Sequence, residues 1–583
     1  MATANPFHLP LKQKPLATVA SSMLGLTPLA AAYDRKPASA TAGLPFLQYT
    51  LDALDVSLSV DGDAELAAIP RQGATLLVAN HPLGGLEGVA IARKLLEVRP
   101  DLKVMTNALL RRIPELAELF IGLDILSANA SRVNAAGIRE AHRHLEQGGC
   151  LLIFPAGMVS AYDVKSRRIH DRQWHRLAGQ LLRRQNATCV PLYVHGRNSA
   201  LFYAAGLVHP RLRTLMLARE LANKRGKTLR LTVGQPIAPV DWQHLDSDEA
   251  ITHYLRISTD MLSHSNRTAS VTSKAYAPLR EPVAVEQLAA AVAGMQEYLL
   301  LEQAEFQVYC APRTAMGPVM DQLGLMREET FRAAGEGTGS AADIDHYDDY
   351  YLHLFIWDRE KNTVVGGYRI GLIDEIVREH GIQGLYSRTL YRFDKAFVSR
   401  LGAAIEMGRS FIHPDYQRRP TALDLLWRGI GAFLVNNPTY NTLFGPVSIS
   451  RDYSDIARAL IADTMVGHFS DDRFHGSVRP LRPLKVARRF WTAEMLASLA
   501  NIKVLNKLVG RSDPGKSIPV LLRHYLSLNG RFVCFNVDPE FNNTLAGLIV
   551  VDLRTTPAKY LKRYMGDEGA KQFMNAQRLE CAS

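Results

Sequence analysis

The 583-residue chain contains few cysteines, and their number is odd. None of them pairs with another at the short spacing of a metal-binding motif, and no metal site is predicted. An odd and widely spaced set does not form a disulfide framework, so we expect a reducing, cytoplasmic setting. Two of them lie in apolar runs, which favours a place in the core over a nucleophilic role. The five are Cys150, Cys189, Cys310, Cys534 and Cys581.

The sequence also lacks an apolar run of about 18 residues, so no membrane-spanning helix is predicted. The segment that most resembles such a run is Leu16–Leu29. It follows two lysines, as the apolar part of a signal peptide does, but polar residues and a proline interrupt it. We therefore expect residues 1–45 to form an amphipathic docking segment on the domain or the membrane surface, with export as the alternative. Its apolar face would comprise Leu16, Val19, Met23 and Leu24.

The excess of positive charge is modest, at a formal +11. It does not require a nucleic acid as partner, and no nucleic-acid-binding motif accompanies it. It suits an anionic membrane surface or an acidic carrier protein. Residues 479–489 carry five cations and no acid and are followed by Phe490 and Trp491. This pattern favours an interfacial membrane helix over the alternative of a solvated basic face.

A chain of this length exceeds one ordinary core, so several domains are expected. Residues 46–265 alternate strand and helix patterns, which predicts an α/β layer structure. The predicted strands are Ala74–Ala79, Leu102–Thr106, Cys150–Phe154, Thr188–Val194 and Leu229–Val233. The predicted helices are Gly88–Val98, Ile113–Ile121, Asn134–Glu146 and Asp171–Gln185.

Residues 266–295 are rich in Ser, Thr, Ala and Pro and predict a linker that leads into a helix. Residues 296–583 predict a second, independent domain of mixed α/β type, in which Leu352–Trp357 and Thr363–Ile370 form a hairpin. Its other predicted elements are the strands Ala403–Phe411, Leu443–Ile449, Phe532–Asn536 and Thr544–Val551 and the helices Ala422–Asn436 and Ser454–Ala462.

The first candidate catalytic residues follow the predicted strand Ala74–Ala79, which ends in Asn80 and His81. Two glycines then bend the chain, and Glu87 follows as a helical pattern begins. A histidine whose far nitrogen is held by a carboxylate can act as a general base on a substrate hydroxyl. The alternative is a structural histidine beside a glutamate that the helix dipole favours.

Two further strands run into similar turns, at residues 151–157 and 190–199. The first contains Phe154, Pro155 and Gly157, and the second contains Arg197. Backbone N–H groups in such turns can bind an anion or an oxyanion. Sites of α/β sheets gather at the carboxyl ends of strands, so the three turns together favour a catalytic role for His81.

Asn80-His81, Phe154-Pro155-Ala156-Gly157 and Val190-Pro191, in this order, resemble the glycerophosphate and lysophospholipid acyltransferase family over roughly residues 70–240. The resemblance implies a glycerophosphate-acyltransferase-like α/β domain that transfers an acyl group from a thioester to a lipid hydroxyl. His81 would be the base and Glu87 its partner. The implied substrate-binding residues are Asn80, Phe154, Pro155, Gly157 and Arg197.

The motif departs from the family pattern at two places. Five residues instead of four separate His81 from the acid, and Ala156 replaces the glutamate of Phe-Pro-Glu-Gly. The second change argues against a glycerol-phosphate acceptor and for a different head group. The variant form is similar to the hemolysin-like branch, which is related to aminolipid O-acyltransferases.

The second half places charged residues inside apolar strands. Arg369 lies in one such run, and Glu406 and Arg409 lie in another. Residues three apart in a strand face opposite sides unless a bulge intervenes. Because buried charges need partners, the alternative to a site is a structural ion-pair network.

A series of motifs in this half resembles the ornithine-lipid N-acyltransferases, which belong to the GNAT-type superfamily together with acyl-homoserine-lactone synthases. The match covers roughly residues 296–565 and implies a GNAT-like mixed α/β fold. The matching residues include Arg327, Phe331, the run Gly335-Glu336-Gly337-Thr338-Gly339, Asp345, Asp348, Gly366, Arg369, Glu406, Arg409 and His413-Pro414-Asp415-Tyr416.

This resemblance implies transfer of a 3-hydroxyacyl group from acyl carrier protein to the amino group of ornithine or a similar amino acid. Glu406 would accept the amine proton or hold the amino acid's cation. Arg369 and Arg409 would bind its carboxylate or order the acidic network, in a substrate-binding set with Arg327, Asp345 and Asp348.

The acyl donor is further indicated by the turn Gln417–Ala422, which has no glycine to cradle a pyrophosphate and contains Pro420, which lacks an N–H. This basic turn favours an acyl carrier protein over coenzyme A, with no tightly bound cofactor.

The chain as a whole resembles the bifunctional ornithine-lipid synthases. The C-terminal half would form the amide, and the N-terminal half would esterify the resulting 3-hydroxyl at the cytoplasmic face of the inner membrane. Two alternatives are a membrane-binding, hemolysin-like protein without transferase activity and a synthase of an acylated amino-acid signal.

Overall fold

The computed structural model describes residues 5–8, 21–22, 24–123, 130–264, 276–418, 420–486 and 489–582. The chain divides into two compact units. Unit 1 comprises Met1–Arg267 together with Phe490–Ser512. Unit 2 comprises Thr268–Arg489 and Asp513–Ser583. Of the predicted docking segment, Leu16, Val19 and Met23 lie outside the described residues, as do residues 266–275 of the predicted linker.

Unit 1 is built around a seven-stranded sheet in the order β1-β9-β8-β2-β5-β3-β4. Its pairs are parallel except for β8 with β9. A two-stranded hairpin, β6 with β7, lies outside this sheet. The strands are β1 Val56–Asp61, β2 Thr75–Ala79, β3 Lys103–Asn107, β4 Phe120–Leu123, β5 Cys150–Ile153, β6 Ala161–Asp163, β7 Arg168–His170, β8 Thr188–His195 and β9 Lys227–Val233.

Strand β2 occupies the middle of the sheet, and all of its residues are buried. A parallel sheet covered on both faces requires such a continuous apolar strand, which is why the sequence predicts it well. The α-helices of unit 1 are Leu26–Asp34, Leu44–Ala53, Asp63–Ala67, Gly85–Leu95, Ala130–Glu146, Leu177–Gln185, Ala200–Val208, Pro210–Leu215, Leu217–Ala222, Pro239–Trp242, Asp248–Met261, Ala493–Ala497 and Ile502–Ser512.

The five strands predicted for the first half are confirmed, but the predicted helix Ile113–Ile121 is wrong. The structure has a 3-10 turn at Pro114–Leu116, followed by strand β4. Phe120 pairs with Val104 of β3, so a tertiary strand partner decides the conformation of this apolar run. Short apolar runs do not distinguish a helix from a buried strand by their periodicity.

The segment Phe490–Ser512 lies within unit 1, although it follows most of unit 2 in the sequence. Leu505 and Leu508 of its last helix are fully buried. Lys507 and Arg511 both pair with the buried Asp241, at 2.7 and 2.9 Å.

The described part of residues 479–491 does not contain the expected interfacial helix. Val478–Pro480 is a short strand, and residues 481–486 and 489–492 are irregular. Trp491 is buried and is not available to a membrane. Among the described helices, none combines the length and the hydropathy that a membrane span requires.

Unit 2 contains an eight-stranded sheet in the order β10-β11-β12-β13-β15-β16-β19-β18. Strands β14 and β17 form a separate pair. The strands are β10 Leu299–Gln303, β11 Phe306–Pro312, β12 Leu352–Asp358, β13 Thr363–Leu372, β14 Tyr391–Phe393, β15 Ala404–Ile412, β16 Thr442–Ile449, β17 Val478–Pro480, β18 Arg531–Asp538 and β19 Thr544–Asp552.

The predicted hairpin is confirmed as the antiparallel pair β12 and β13, and the other predicted strands and both predicted helices of this half are also formed. The α-helices of unit 2 are Val285–Ala293, Arg313–Met316, Pro318–Ala333, Ile373–His380, Lys395–Leu401, Pro420–Asn436, Asp455–His468, Val520–Ser527 and Ala558–Ala582.

Strands β15 and β16 are parallel neighbours for only part of their length. They pair from Ala404 with Thr442 to Glu406 with Phe444. Beyond that point β15 continues against β13 and β16 continues against β19. The two strands therefore stop pairing after Glu406 and Phe444, and the interval between their edges beyond that point is called the cleft below.

Candidate active sites

His81 and Glu87 lie together on the turn between β2 and the helix Gly85–Leu95. His81 Nδ1 is 2.9 Å from Glu87 Oε1. The His81 side chain is 18% exposed, whereas that of Glu87 is completely buried. The two atoms are close, but the contact does not have the angles of a hydrogen bond, and Nδ1 has no hydrogen-bond partner among the described residues. This contact places the proton on Nδ1 and leaves Nε2 as the basic atom.

The Glu87 carboxylate is fixed by the backbone of its own turn. Oε1 accepts hydrogen bonds from the N–H groups of Leu83 at 3.0 Å and Gly84 at 2.8 Å. Gly84 has a φ of +108°, which L side chains rarely adopt. The extra residue between His81 and the acid is therefore accommodated by a glycine turn that folds back onto the glutamate.

The backbone of His81 is held by two residues that the sequence analysis did not identify. The buried Asp171 accepts from His81 N at 3.2 Å and from Ser160 Oγ at 2.5 Å. Ser160 N in turn donates to the carbonyl of His81 at 2.8 Å. Asp171 is 90 residues further along the chain than His81, so no local pattern reveals this support.

Asn80 connects the turn to strand β8 and makes backbone hydrogen bonds there. Its side chain accepts from Val194 N at 2.6 Å and donates to Val194 O at 3.0 Å. Asn198 similarly donates to the carbonyls of Pro82 and Leu83. The Arg197 side chain is exposed and is not part of the cavity wall described next.

A cavity of about 970 Å³ begins at His81 and extends through the apolar interior of unit 1. Phe154, Pro155 and Gly157 line it, and the Phe154 ring lies 4.6 Å from the His81 ring. The N–H groups of Ala156 and Met158, in the same turn, donate to no acceptor among the described residues. The apolar wall includes Phe7, Leu29, Tyr33, Phe46, Leu86, Val89, Val104, Met105, Leu110, Ile113, Leu116, Phe120 and Leu123.

Buried thiols play no visible part in this site. Burial raises the pKa of Cys150 to about 12 and that of Cys189 further still. Both therefore remain protonated and unreactive near neutral pH, in keeping with their expected place in the core. No group of three or more His, Cys, Asp or Glu side chains arranged for a metal ion occurs in the described part of the chain.

Five of the predicted charged residues of unit 2, together with Asp343, form one largely buried network. Arg327 NH1 donates to Asp348 Oδ1 at 2.9 Å. Arg369 NH1 donates to both Asp348 and Asp345, at 3.2 and 2.6 Å. Arg409 lies 2.8 Å from Asp343 and 3.0 Å from Asp345. Burial alone raises the pKa of Asp348, but Arg327 and Arg369 outweigh it and hold that pKa well below its usual range.

A β-bulge brings Arg409 onto the face that this network occupies. Arg369 pairs with Gly408 and Gly367 with Phe411, so β15 has one extra residue there. Arg409 has a φ of +51°, and its guanidinium lies over the ring of Tyr386. Residues three apart in a regular strand face opposite sides, so this bulge is what allows Glu406 and Arg409 to lie on the same face of the sheet.

Glu406 is buried at the point where β15 and β16 begin to diverge. Oε1 accepts from Ser387 N at 2.7 Å, and Oε2 accepts from Tyr386 N at 3.1 Å and from the hydroxyl of Tyr351. Its carboxylate therefore fixes the Tyr386–Ser387 turn.

Glu336 is a second carboxylate near the cleft that the sequence analysis included in a motif but not among its site residues. Its Oε2 accepts from Ser448 Oγ at 2.7 Å, on the divergent part of β16. Burial raises the pKa of Glu336 to about 7. At neutral pH it can therefore both hold and release a proton, which is the property of a general acid or base.

Comparison with known proteins separates the same two regions. A family model described as "Acyltransferase" matches residues 44–269, and one described as "Acetyltransferase (GNAT) domain" matches residues 326–428. The chain therefore combines an acyltransferase domain with a GNAT domain, both of mixed α/β type.

Two curated proteins of Phocaeicola vulgatus are similar to parts of the chain. One is named glycine N(alpha)-acyltransferase and is 32% identical over 267 residues, which cover 42% of this chain and 79% of that protein. The other is named lyso-glycine lipid O-acyltransferase and is 28% identical over 232 residues, which cover 38% of this chain and 77% of that protein.

Among solved structures, the 1-acyl-sn-glycerophosphate acyltransferase of Thermotoga maritima aligns with 45% of this chain and 86% of its own. Its identity is 14% and its TM-score is 0.26, which is too low to support an argument.

Proposed function

The chain belongs to the acyltransferase family of the glycine N(alpha)-acyltransferases, and we propose that it is a bifunctional enzyme that synthesises an aminolipid. Unit 2 transfers a 3-hydroxyacyl group to the amino group of an amino acid, and unit 1 then acylates the new 3-hydroxyl. The His81–Glu87 pair at the end of a large apolar cavity carries this proposal, because it joins a base to a space for an acyl chain.

In the unit 1 reaction, His81 Nε2 takes the proton of the lyso-lipid hydroxyl as its oxygen attacks the thioester carbonyl. The tetrahedral intermediate collapses, the C–S bond breaks, and the imidazolium returns the proton to the departing thiolate. Glu87 stabilises the imidazolium between these steps. The N–H groups of Ala156 and Met158 are the candidates for binding the oxyanion.

In the unit 2 reaction, an amino nitrogen attacks the thioester carbonyl and loses a proton to a carboxylate. The tetrahedral intermediate collapses, the C–S bond breaks, and the departing thiolate takes up the proton. The cleft between β15 and β16 supports this step because its unpaired backbone edges can bind the amides of a phosphopantetheine arm. Two carboxylates near the cleft are proton acceptors in the proposal, Glu406 and Glu336. If Glu336 is the base, Glu336→Gln abolishes N-acylation while Glu406→Gln retains part of it, and the opposite result assigns the proton to Glu406.

The amino acid and the donor follow from different observations. The family resemblance favours ornithine, and the relatives are named for glycine, so both are substrates to test first.

For the donor we propose acyl carrier protein. The helix Pro420–Asn436 begins shortly after β15 ends and follows Arg418, which suits a phosphopantetheine phosphate presented by an acidic partner.

We further propose that unit 1 binds an anionic membrane at its cytoplasmic face, through the helices Ala200–Val208 and Pro210–Leu215. Five large apolar side chains on this helical hairpin are between 43% and 78% exposed. The same hairpin contributes Phe202, Arg213 and Thr214 to the cavity wall, so a lipid could pass from the bilayer to His81 along it. The exposed side chains are Leu201, Leu207, Val208, Leu212 and Leu215.

The test is expression of the full chain in a host that lacks aminolipids, followed by lipid mass spectrometry with ornithine, glycine, lysine or glutamine supplied. We expect a new diacylated aminolipid from the wild type and its mono-acylated lyso form from His81→Ala. Absence of any amide-linked lipid would overturn the bifunctional proposal, and diacylated lipid from His81→Ala would overturn the assignment of the base.

A further inference from the structure

An arginine without a counter-ion lies in the wall of the unit 1 cavity. Arg213, on the helix Pro210–Leu215, is 5% exposed. Its side chain makes no hydrogen bond or ion pair with the described residues, and its guanidinium carbon lies 6.0 Å from the centre of the Phe202 ring. A buried guanidinium normally has a carboxylate or several acceptors, so this one has donors left for a ligand.

The neighbours of Arg213 increase the local positive charge. Arg172 lies close enough to lower the pKa of Arg213, in the same direction as the larger effect of burial. Arg176 and His175 line the same cavity, as does one carboxylate, Glu249, so the titratable groups of the wall carry an excess of positive charge. The cavity therefore combines a long apolar wall with a cationic region that holds Arg213.

Packing connects Arg213 with the turn that carries His81. Phe202, below the guanidinium, packs in one cluster with Val159, and Val159 and Leu217 lie against Gly84 of the turn. Gly206 leaves room for the arginine, because a Cβ there would lie 3.1 Å from Arg213 Cδ. The position of Arg213 is thus set by the same elements that set the His81–Glu87 turn.

We propose that Arg213 binds the free carboxylate of the lyso-aminolipid and so selects an amino-acid head group over a neutral one. The inference rests on the proposed function, in which the acceptor keeps its carboxylate only a few bonds from the reacting hydroxyl. A planar guanidinium binds a carboxylate with two parallel hydrogen bonds, which fixes orientation as well as adding affinity. The same donors could bind the phosphate of the donor's phosphopantetheine arm, and the test separates these sources.

The first experiment measures acyl transfer by the full chain to the lyso-aminolipid and to its carboxamide. We expect Arg213→Met to raise KM for the carboxylate lipid about 10- to 100-fold, with kcat and the turnover of the carboxamide nearly unchanged. Arg213→Lys should recover part of the loss. Arg219→Met removes an exposed arginine from the next helix and serves as the matched control.

A second experiment replaces the phosphopantetheine thioester by an N-acetylcysteamine thioester, which has no phosphate. If the defect of Arg213→Met disappears with this donor, the arginine binds the donor's phosphate and the proposal fails. An equal loss on the carboxylate and carboxamide lipids would also overturn it, because that result indicates a purely structural role.

A binding measurement keeps the inference independent of turnover. Trp174 lines the cavity, so its fluorescence can follow the binding of N-lauroylglycine and of its methyl ester. We expect the wild type to prefer the free acid and Arg213→Met to bind both equally. If the wild type shows this preference but transfers no acyl group, the proposed reaction fails and the carboxylate site stands. If the wild type binds the free acid and the methyl ester equally, the proposed carboxylate site is wrong.

Discussion

The two sites use their charged residues in opposite ways. In unit 1 a single contact, between His81 Nδ1 and the Glu87 carboxylate, accompanies a partly exposed ring that lines an open cavity. In unit 2 three arginines and three aspartates neutralise one another, and all of them except Asp345 are almost entirely out of contact with water. That buried set consists of Arg327, Arg369, Arg409, Asp343, Asp345 and Asp348.

This difference shows that a cluster of buried charged residues is not by itself evidence of a catalytic site. Asp348 has its pKa lowered and His353 has its pKa lowered to about 3, so neither changes protonation near neutral pH. Charges paired in this way position loops and strands. His81 and Glu336, which are proposed to exchange protons with a substrate, are not members of this ion-pair network.

The largest expected effect is on the unit 1 reaction. Removing the base in His81→Ala should lower O-acylation about 10²- to 10⁴-fold and leave N-acylation by unit 2 unchanged. Both rates can be measured on the purified full chain with radiolabelled donor. His475→Ala removes an exposed histidine from unit 2 and is the control. A parallel loss of both activities would contradict the assignment of separate sites.

A stability measurement should reveal the structural character of the unit 2 network. Asp348→Asn leaves Arg327 and Arg369 without a shared carboxylate, and we expect a loss of about 3–5 kcal/mol in the free energy of unfolding. Asp349→Asn changes the next residue, whose side chain is 60% exposed, and should cost at most about 1 kcal/mol. Urea unfolding of unit 2 gives both values. Equal costs for the two variants would mean that the network is not organising the fold.

A smaller effect is expected when the partner of the histidine loses its charge. Glu87→Gln retains an oxygen for the N–H groups of Leu83 and Gly84 but no longer stabilises the imidazolium. We expect O-acylation to fall about 10- to 100-fold, with a shift in its pH profile. If Glu87→Gln equals the wild type across that profile, the carboxylate serves only the turn.

The smallest effect concerns pH and the carboxylate beside the cleft. The folded state keeps the proton of Glu336 up to about pH 7, whereas an unfolded glutamate releases it near pH 4.3. The free energy of unfolding therefore decreases as pH rises through this interval and stays lower above it. Glu336→Gln should stabilise unit 2 by about 1 kcal/mol at pH 8 and hardly at all at pH 4. The same gain at both values would show that the carboxyl is not the cause.

The elements that the sequence predicts best are those decided by local pattern. Strand β2 and the His81–Glu87 turn follow from an apolar run, two glycines and a helix start. Helix Ile113–Ile121 was predicted incorrectly because pairing with β3 overrides the local pattern. The supports of the site, Ser160, Asp171 and Arg213, come from separate segments, and only the folded chain brings them together.

The position of Phe490–Ser512 has a consequence for biosynthesis. Unit 1 contains Asp241, whose partners Lys507 and Arg511 are translated more than two hundred residues later. A ribosome that has released residues 1–267 has not yet supplied the last two helices of that unit, so unit 1 stays incomplete while unit 2 up to Arg489 is made, although every residue that lines the cavity has by then been synthesised. The two activities are therefore linked in time: a nascent chain cannot finish its first domain before it has synthesised most of its second.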